Sequence, residues 1–152
     1  EIIKTNKQNA YGLHKYLSEQ IVKKHAPSWL ILRPSMILGI NMKKGPFYDV
    51  LNGNSIFVSL NSRLQLITTN AISEVIKTLI NKSVACEILN VGGTGTFNFT
   101  KTDKYFDNRV HVSPEAKKQI YEMDVKKLKR LYPNLKTSEE YLTEFLNGYT
   151  KN

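Results

Sequence analysis

Cysteine is almost missing from this sequence. Cys86 stands alone, which excludes an internal disulfide framework and a cysteine-rich zinc site. No apolar run approaches the roughly 18–20 residues that span a bilayer, so no membrane-crossing helix is expected. No charged-then-apolar leader opens the chain, so no secretory signal is expected there. Repeats with a period of roughly 20–50 residues and low-complexity tracts are missing too. The lone thiol and the missing leader fit a cytoplasmic protein. A basic arm or tail is the last absence. The net charge is +9, but residues 1–76 carry nine basic and four acidic groups and residues 77–152 carry thirteen and nine. An excess spread that evenly, with no recognisable nucleic-acid motif, argues against a nucleic-acid module.

What is present is ordinary globular material. The 152 residues are 41% hydrophobic and 23% charged, with eight Gly and five Pro, and a chain of this size holds a real core. By length alone it is one domain's worth. The densest basic cluster, Lys126, Lys127, Lys129 and Arg130, falls in a short helical segment. It reads as a solvated helix face with cations toward its C-terminus, where the macrodipole favours them; a phosphate-binding role is the second reading.

Residues 1–9 are polar and carry no periodicity, which predicts a loop. Asn9 is suited to cap a helix from Ala10. Leu13, Leu17 and Ile21 mark one apolar face of it, beside a stripe of Tyr11, Lys15, Ser18 and Val22. Pro27 ends this helix near His25. The continuous run Trp29-Leu30-Ile31-Leu32 predicts a strand buried on both faces, and a long helix leading into such a strand is an α/β signature. Residues 35–45 read as a loop holding a second apolar patch, Met36-Ile37-Leu38. Pro46 suits the first position of a short helix over 47–51, Asn52-Gly53-Asn54 a turn, Ile56-Phe57-Val58 a short strand, and Leu64, Leu66 and Ile67 another. Asn70 is suited to cap a helix whose broad apolar face is Ala71, Ile72, Val75, Ile76, Leu79 and Ile80. Residues 87–91 read as a strand closed by Gly92-Gly93, and residues 94–108 are poorly patterned. Val110 and Val112 flank His111 in a short alternating strand. Asp124 suits the cap of a helix over 125–131, and Pro133 stops it. Thr137 and Glu140 have capping-box spacing for a last helix, with Tyr141, Leu142, Phe145, Leu146 and Tyr149 on one face.

The chemistry-bearing pair is Tyr11 and Lys15. Four residues apart on a helix, the two side chains lie on one face, one turn apart. A phenol is a poor base at neutral pH, and a neighbouring ammonium favours its ionised form. Such a pair can exchange a proton with a substrate hydroxyl or carbonyl. The spacing alone also arises by chance on a helix surface with a half-buried Tyr.

Context sharpens that reading. The string Tyr11-Gly12-Leu13-His14-Lys15, continuing through Glu19-Gln20, is followed by Leu30-Ile31-Leu32-Arg33-Pro34-Ser35-Met36-Ile37-Leu38-Gly39. The Asn70 helix is followed by Ile88-Leu89-Asn90-Val91-Gly92-Gly93, and the chain closes with Asp124-Val125-Lys126-Lys127-Leu128, a proline and an aromatic-bearing helix. In order and spacing this resembles the C-terminal portion of the extended short-chain dehydrogenase/reductases, the NAD-dependent epimerase/dehydratase family.

The resemblance implies an α/β fold: the C-terminal half of a Rossmann-type, doubly wound domain plus a small α+β substrate-binding lobe. Residues 1–40 would complete the dinucleotide-binding domain. Residues 41–152 would be mostly substrate lobe, with 64–91 returning to the Rossmann-type sheet. It further implies Tyr11 as catalytic acid/base, Lys15 on the nicotinamide ribose, and Pro34, Ser35, Met36 and Ile37 against the nicotinamide of NAD or NADP. Met36, Phe47 and Phe57 would meet a nucleotide-sugar substrate, and the Ala10–His25 helix would pack a homodimer. No metal is implied.

Several residues depart from the family pattern. His14 stands where Ser or Thr is usual, and reads as an ordinary His before it reads as a tuner of local charge. Met36 replaces a sugar-contacting Asn, Leu38 a Tyr and Asn70 an Asp. The family's G-x-x-G-x-x-G turn, which sets backbone N–H groups against the pyrophosphate, does not occur before Tyr11. Gly92-Gly93-Thr94-Gly95 lacks the third glycine and a following helix, so it does not replace that turn. Thr5 lies too near Tyr11 to stand in for the family's catalytic Ser/Thr. The expectation is therefore the C-terminal part of an NAD(P)-dependent epimerase, dehydratase or reductase, inactive alone. The alternative is a truncated, non-catalytic relative acting as a ligand-binding or regulatory module.

Overall fold

The computed structural model describes residues 9–107 and 109–149. Except for Asn9, the loop expected at the start of the chain lies outside them, as does Thr5.

Helix α1 runs over Ala10–His25, and the Asn9 side chain caps it by accepting from the Gly12 N–H at 2.8 Å. Strand β1 (Leu30–Pro34) follows and pairs in parallel with β6 (Glu87–Val91), Leu32 opposite Leu89. The patch Met36-Ile37-Leu38 is not loop: it forms strand β2 (Met36–Leu38), parallel to β5 (Leu66–Thr68). The backbone explains the correction. Ser35 donates its N–H to Val91 O and Met36 donates to Gln65 O, so the chain leaves one sheet and enters the next within two residues. Strand β3 (Ile56–Val58) pairs with β8 (Val112–Lys117), and β4 (Arg63–Leu64) lies between β7 (Phe97–Asn98) and β9 (Ile120–Tyr121).

Other expectations shift for identifiable reasons. Leu64, Leu66 and Ile67 belong to two strands, because Gln65 turns its own N–H to Tyr121 O between them. Helix α3 (Thr69–Asn81) is capped by the Thr68 hydroxyl, which accepts from Ala71 N, and not by Asn70. Of its expected face, Ala71, Val75 and Leu79 are buried while Ile76 and Ile80 are exposed. Residues 94–107 are ordered by aromatic packing: β7, a 3-10 turn at Phe99–Lys101 and α4 (Asp103–Phe106) bury Phe97, Phe99 and Phe106. The strand expected around His111 begins only at Val112 and runs through Pro114. Asp124 accepts from Lys126 N at 2.8 Å, two residues on, so helix α5 spans Lys126–Leu131 with Val125 at its cap position. The capping box at α6 (Ser138–Tyr149) forms as the spacing predicts: Glu140 Oε2 accepts from Thr137 N at 2.7 Å, and Thr137 Oγ1 accepts from Glu140 N at 3.1 Å.

Two hydrophobic clusters carry the fold. The first gathers Phe47, from helix α2 (Pro46–Leu51), with Phe97, Phe99 and Phe106, at ring-centroid distances of 5.4–6.2 Å for the contacting pairs. The second packs α3 and α5 on β6. Helix α6 belongs to both, with Leu142 and Phe145 in the first and Tyr141 in the second.

Strand β1 is the exception to this burial. Expected to be covered on both faces, its Leu30, Ile31, Leu32 and Arg33 are only half-buried. Its edge explains why. Trp29 O accepts from Cys86 N and Ser35 N donates to Val91 O, so the backbone groups of residues 29, 31, 33 and 35 turn toward β6. Those of Leu30, Leu32 and Pro34 turn to the other side, where no strand lies among the described residues. Helix α1 likewise buries none of its side chains, and its expected apolar face leaves Leu17 and Ile21 exposed.

Candidate active site

Helix α1 and strand β1 enclose a groove of about 470 Å³. From α1 come Tyr11, Lys15, Ser18, Glu19 and Val22; from β1 come Ile31, Leu32, Arg33 and Pro34. Helical spacing puts Tyr11, Lys15 and Glu19 in one column, and the sequence-predicted pair does converge. Lys15 Nζ lies 5.5 Å from the centroid of the Tyr11 ring, a cation–π distance. The pair stands at the surface, with Tyr11 71% exposed.

Across the groove Arg33 grips Glu19. Its Nε donates to Oε1 at 2.8 Å and its Nη2 to Oε2 at 2.6 Å, a two-point fork with the side chains only 21% and 14% exposed. This ion pair ties α1 to β1. A glutamate one turn after Lys15, together with an arginine inside an apolar strand, was the signal that could have exposed it.

The residues expected against a nicotinamide follow directly on the groove. Pro34 lines it, and Ser35 is 7% exposed with a hydroxyl that has no partner among the described residues. Met36 is half-buried. Ile37 lines a second cavity of about 440 Å³ with Gly39, Ile40, Asn41, Met42 and Thr69. Phe57 is exposed on β3, between buried Ile56 and Val58, and does not line the groove. Phe47, expected at the substrate, is 1% exposed inside the aromatic cluster.

Gly92-Gly93 is a packing device. A Cβ on Gly92 would sit 2.7 Å from Gln65 Cδ, and one on Gly93 2.7 Å from Ser138 N. Sequence reasoning missed buried Gln65, which donates to Gly93 O at 2.7 Å and accepts from Met123 N at 3.1 Å. It also missed Ser138, whose hydroxyl joins Leu66 N to Gly95 O. A strand follows these glycines, not a helix, so they offer no helix-terminal phosphate cradle.

A larger cavity, about 690 Å³, lies elsewhere, along α5 beside Thr94 and Gly95. Lys126, Lys129 and Arg130 line it, but so do Glu122 and Asp124, and Lys129 Nζ is committed to Leu135 O. Lys127 is paired with Glu87. Two of the four cations thus have a local carbonyl or acidic partner. Among the described residues there is no group of His, Cys, Asp and Glu suited to a metal ion, and no helix long and apolar enough to cross a membrane.

No protein-family model matches the chain, and no curated protein does. Solved structures do. The chain is similar to a UDP-galactose 4-epimerase (TM-score 0.71, 18% identity, 93% of this chain and 53% of that one). It is also similar to dTDP-glucose 4,6-dehydratase from Bacillus anthracis in complex with NAD (0.68, 14%, 95% and 53%). A third is the Bordetella bronchiseptica enzyme WbmG in complex with NAD and UDP (0.69, 16%, 93% and 49%). The chain spans about half the length of these structures. Its fold is mixed α/β with parallel strand pairs, like the C-terminal portion of Rossmann-type epimerases and dehydratases. The resemblance read from the motifs therefore has its counterpart in the fold.

Proposed function

We propose that this chain is the C-terminal part of an NAD(P)-dependent epimerase, dehydratase or reductase acting on nucleotide sugars, with Tyr11 and Lys15 as its proton-transfer pair. The observation that carries this reading is the convergence of Tyr11 and Lys15 on one groove beside a parallel strand, in a fold shared with such enzymes.

The residues present fit the nicotinamide end of the cofactor. The groove has apolar walls in Val22, Ile31 and Leu32, an ammonium at Lys15 suited to ribose hydroxyls, and the Pro34–Ile37 segment following β1. The phosphate end has no counterpart among the described residues. Bound NAD(P) would supply hydride transfer. The chain's own part is proton transfer: the Tyr11 hydroxyl gives or takes the substrate's proton, and Lys15 stabilises the negative charge left on the phenolic oxygen. Met36 and Phe57 are the residues we assign to the sugar.

The open edge of β1 suits the remaining strands of a Rossmann-type sheet, with residues 1–40 completing that domain, 64–91 returning to it and most of 41–152 serving as the substrate lobe. The exposed Leu17 and Ile21 on α1 suit a second copy of the enzyme. The exposed free thiol of Cys86 fits a reducing, cytoplasmic setting. A Tyr–Lys pair this open to water is weakly coupled, which supports inactivity of the chain alone. The same exposure favours the second reading, a non-catalytic ligand-binding or regulatory relative.

Tyr11→Phe in the complete enzyme decides between them. Turnover should fall by roughly 10²–10⁴-fold with the fold intact; undiminished turnover would remove Tyr11 from the mechanism.

A further inference from the structure

Lys15 sits midway in its helical column, with Tyr11 one turn before it and Glu19 one turn after. An ammonium on a four-carbon stem reaches either neighbour, and a lysine four residues from a glutamate can pair with it. Here it does not. Among the described residues Lys15 forms no ion pair with Glu19, and Nζ stands over the Tyr11 ring. The carboxylate is occupied at both oxygens by Arg33, at 2.8 and 2.6 Å, and is drawn to the β1 side of the groove.

We propose that Arg33 is a positioning residue that keeps Lys15 on Tyr11 by holding Glu19, the competing carboxylate, in a two-point fork. The guanidinium suits this task because its planar donors satisfy both oxygens at once, whereas a lysine would engage one and leave the other for Lys15. The pair is only 21% and 14% exposed, so water does not readily replace Arg33 as Glu19's partner. Glu19 without Arg33 would be a mostly buried carboxylate with Lys15 and Lys23 each four residues away; Lys15 lines the groove, whereas Lys23 Nζ lies over the Trp29 ring. The importance of this device for catalysis rests on the proton-transfer reading above; the geometry does not.

The test reads that geometry without turnover. In NMR spectra of the full chain, the ε-methylene protons of Lys15 lie near the Tyr11 ring and carry its ring-current displacement, identified by its disappearance in Tyr11→Leu. Arg33→Met should abolish the displacement as Lys15 turns to Glu19. Glu19→Gln/Arg33→Met, with no carboxylate left to compete, should restore it, and Glu19→Gln alone should preserve it. Arg33→Lys keeps a cation against Glu19 if the methionine variant fails to fold, and should give a partial loss. A displacement unchanged in Arg33→Met or in Arg33→Lys overturns the proposal. So does its loss in the folded double variant, since a purely structural tether would not be rescued by removing its partner. Failure of the proton-transfer reading would appear instead as normal turnover in Tyr11→Phe, with this NMR pattern intact.

Discussion

Gly93→Ala tests how the β6–β7 loop is joined to α6. The added Cβ would meet Ser138 N at 2.7 Å, Leu66 O at 2.8 Å and Thr137 C at 2.9 Å. All three are backbone atoms, so no rotamer change relieves the clash. Relief requires the loop to move off β5 and the start of α6 together. That movement strains a dense set of bonds: Gly93 N to Leu66 O at 2.8 Å, Thr94 N to Lys136 O at 2.9 Å, and Ser138 N to Thr94 O at 3.1 Å. Overpacking of this kind costs about 1–3 kcal/mol, and weakening one or two hydrogen bonds adds about 1 kcal/mol each. We expect a loss of about 3 kcal/mol. For a chain of this length that is a fall in Tm of roughly 6–12 °C, read by thermal denaturation monitored by circular dichroism. Gly148→Ala is the matched control: no atom of the described residues lies within 4 Å of its Cβ position, and it sits inside helix α6. It should gain about 0.5–1 kcal/mol from backbone entropy and helix propensity. A Gly93→Ala protein melting within about a degree of the wild type would refute the reasoning.

Phe47→Ala should cost about 3–5 kcal/mol in urea denaturation, because it removes the ring against which Phe97, Phe99 and Phe106 pack. Glu140 has its carboxyl held below the usual carboxylate range by the Thr137 backbone N–H and then by the Thr137 hydroxyl. A depressed folded value means that its contribution is present above the ordinary carboxylate range and is lost as pH falls through the folded value. Melting curves of Glu140→Gln should therefore show a smaller loss of stability on acidification than the wild type; parallel curves would contradict the assignment.

Legibility followed the range of the interaction. Helix α1, the proline-started helix α2 and the capping box of α6 were readable because caps, breakers and 3.6-residue periodicity act within a few residues. The order Tyr11, Lys15, Arg33-Pro34 and Gly92-Gly93 was readable as a resemblance because it is a pattern along the chain. Three kinds of feature were not. Strand β2 depends on Met36 N finding Gln65 O, twenty-nine residues away. The elements at 97–106 are ordered by aromatic contacts with Phe47, which no local pattern announces. The Glu19–Arg33 fork joins two residues that each look unexceptional where they stand: a polar position on an amphipathic helix and a charge ending an apolar run.

The half-buried strand and the exposed Tyr–Lys pair have one cause. Among the described residues strand β1 has a neighbouring strand on one edge only, and the groove it forms with α1 is open to the surface. Water in that opening acts on both features. It reaches the surface pair of Tyr11 and Lys15, and no described strand meets the backbone groups of Leu30 and Leu32 on their free side. A cover over the groove would shield the Tyr–Lys pair from water. The Glu19–Arg33 fork, already shielded, holds α1 and β1 in register for that event. Tyr11, Lys15, Glu19 and Arg33 are thus already gathered on one groove by this chain's own folding.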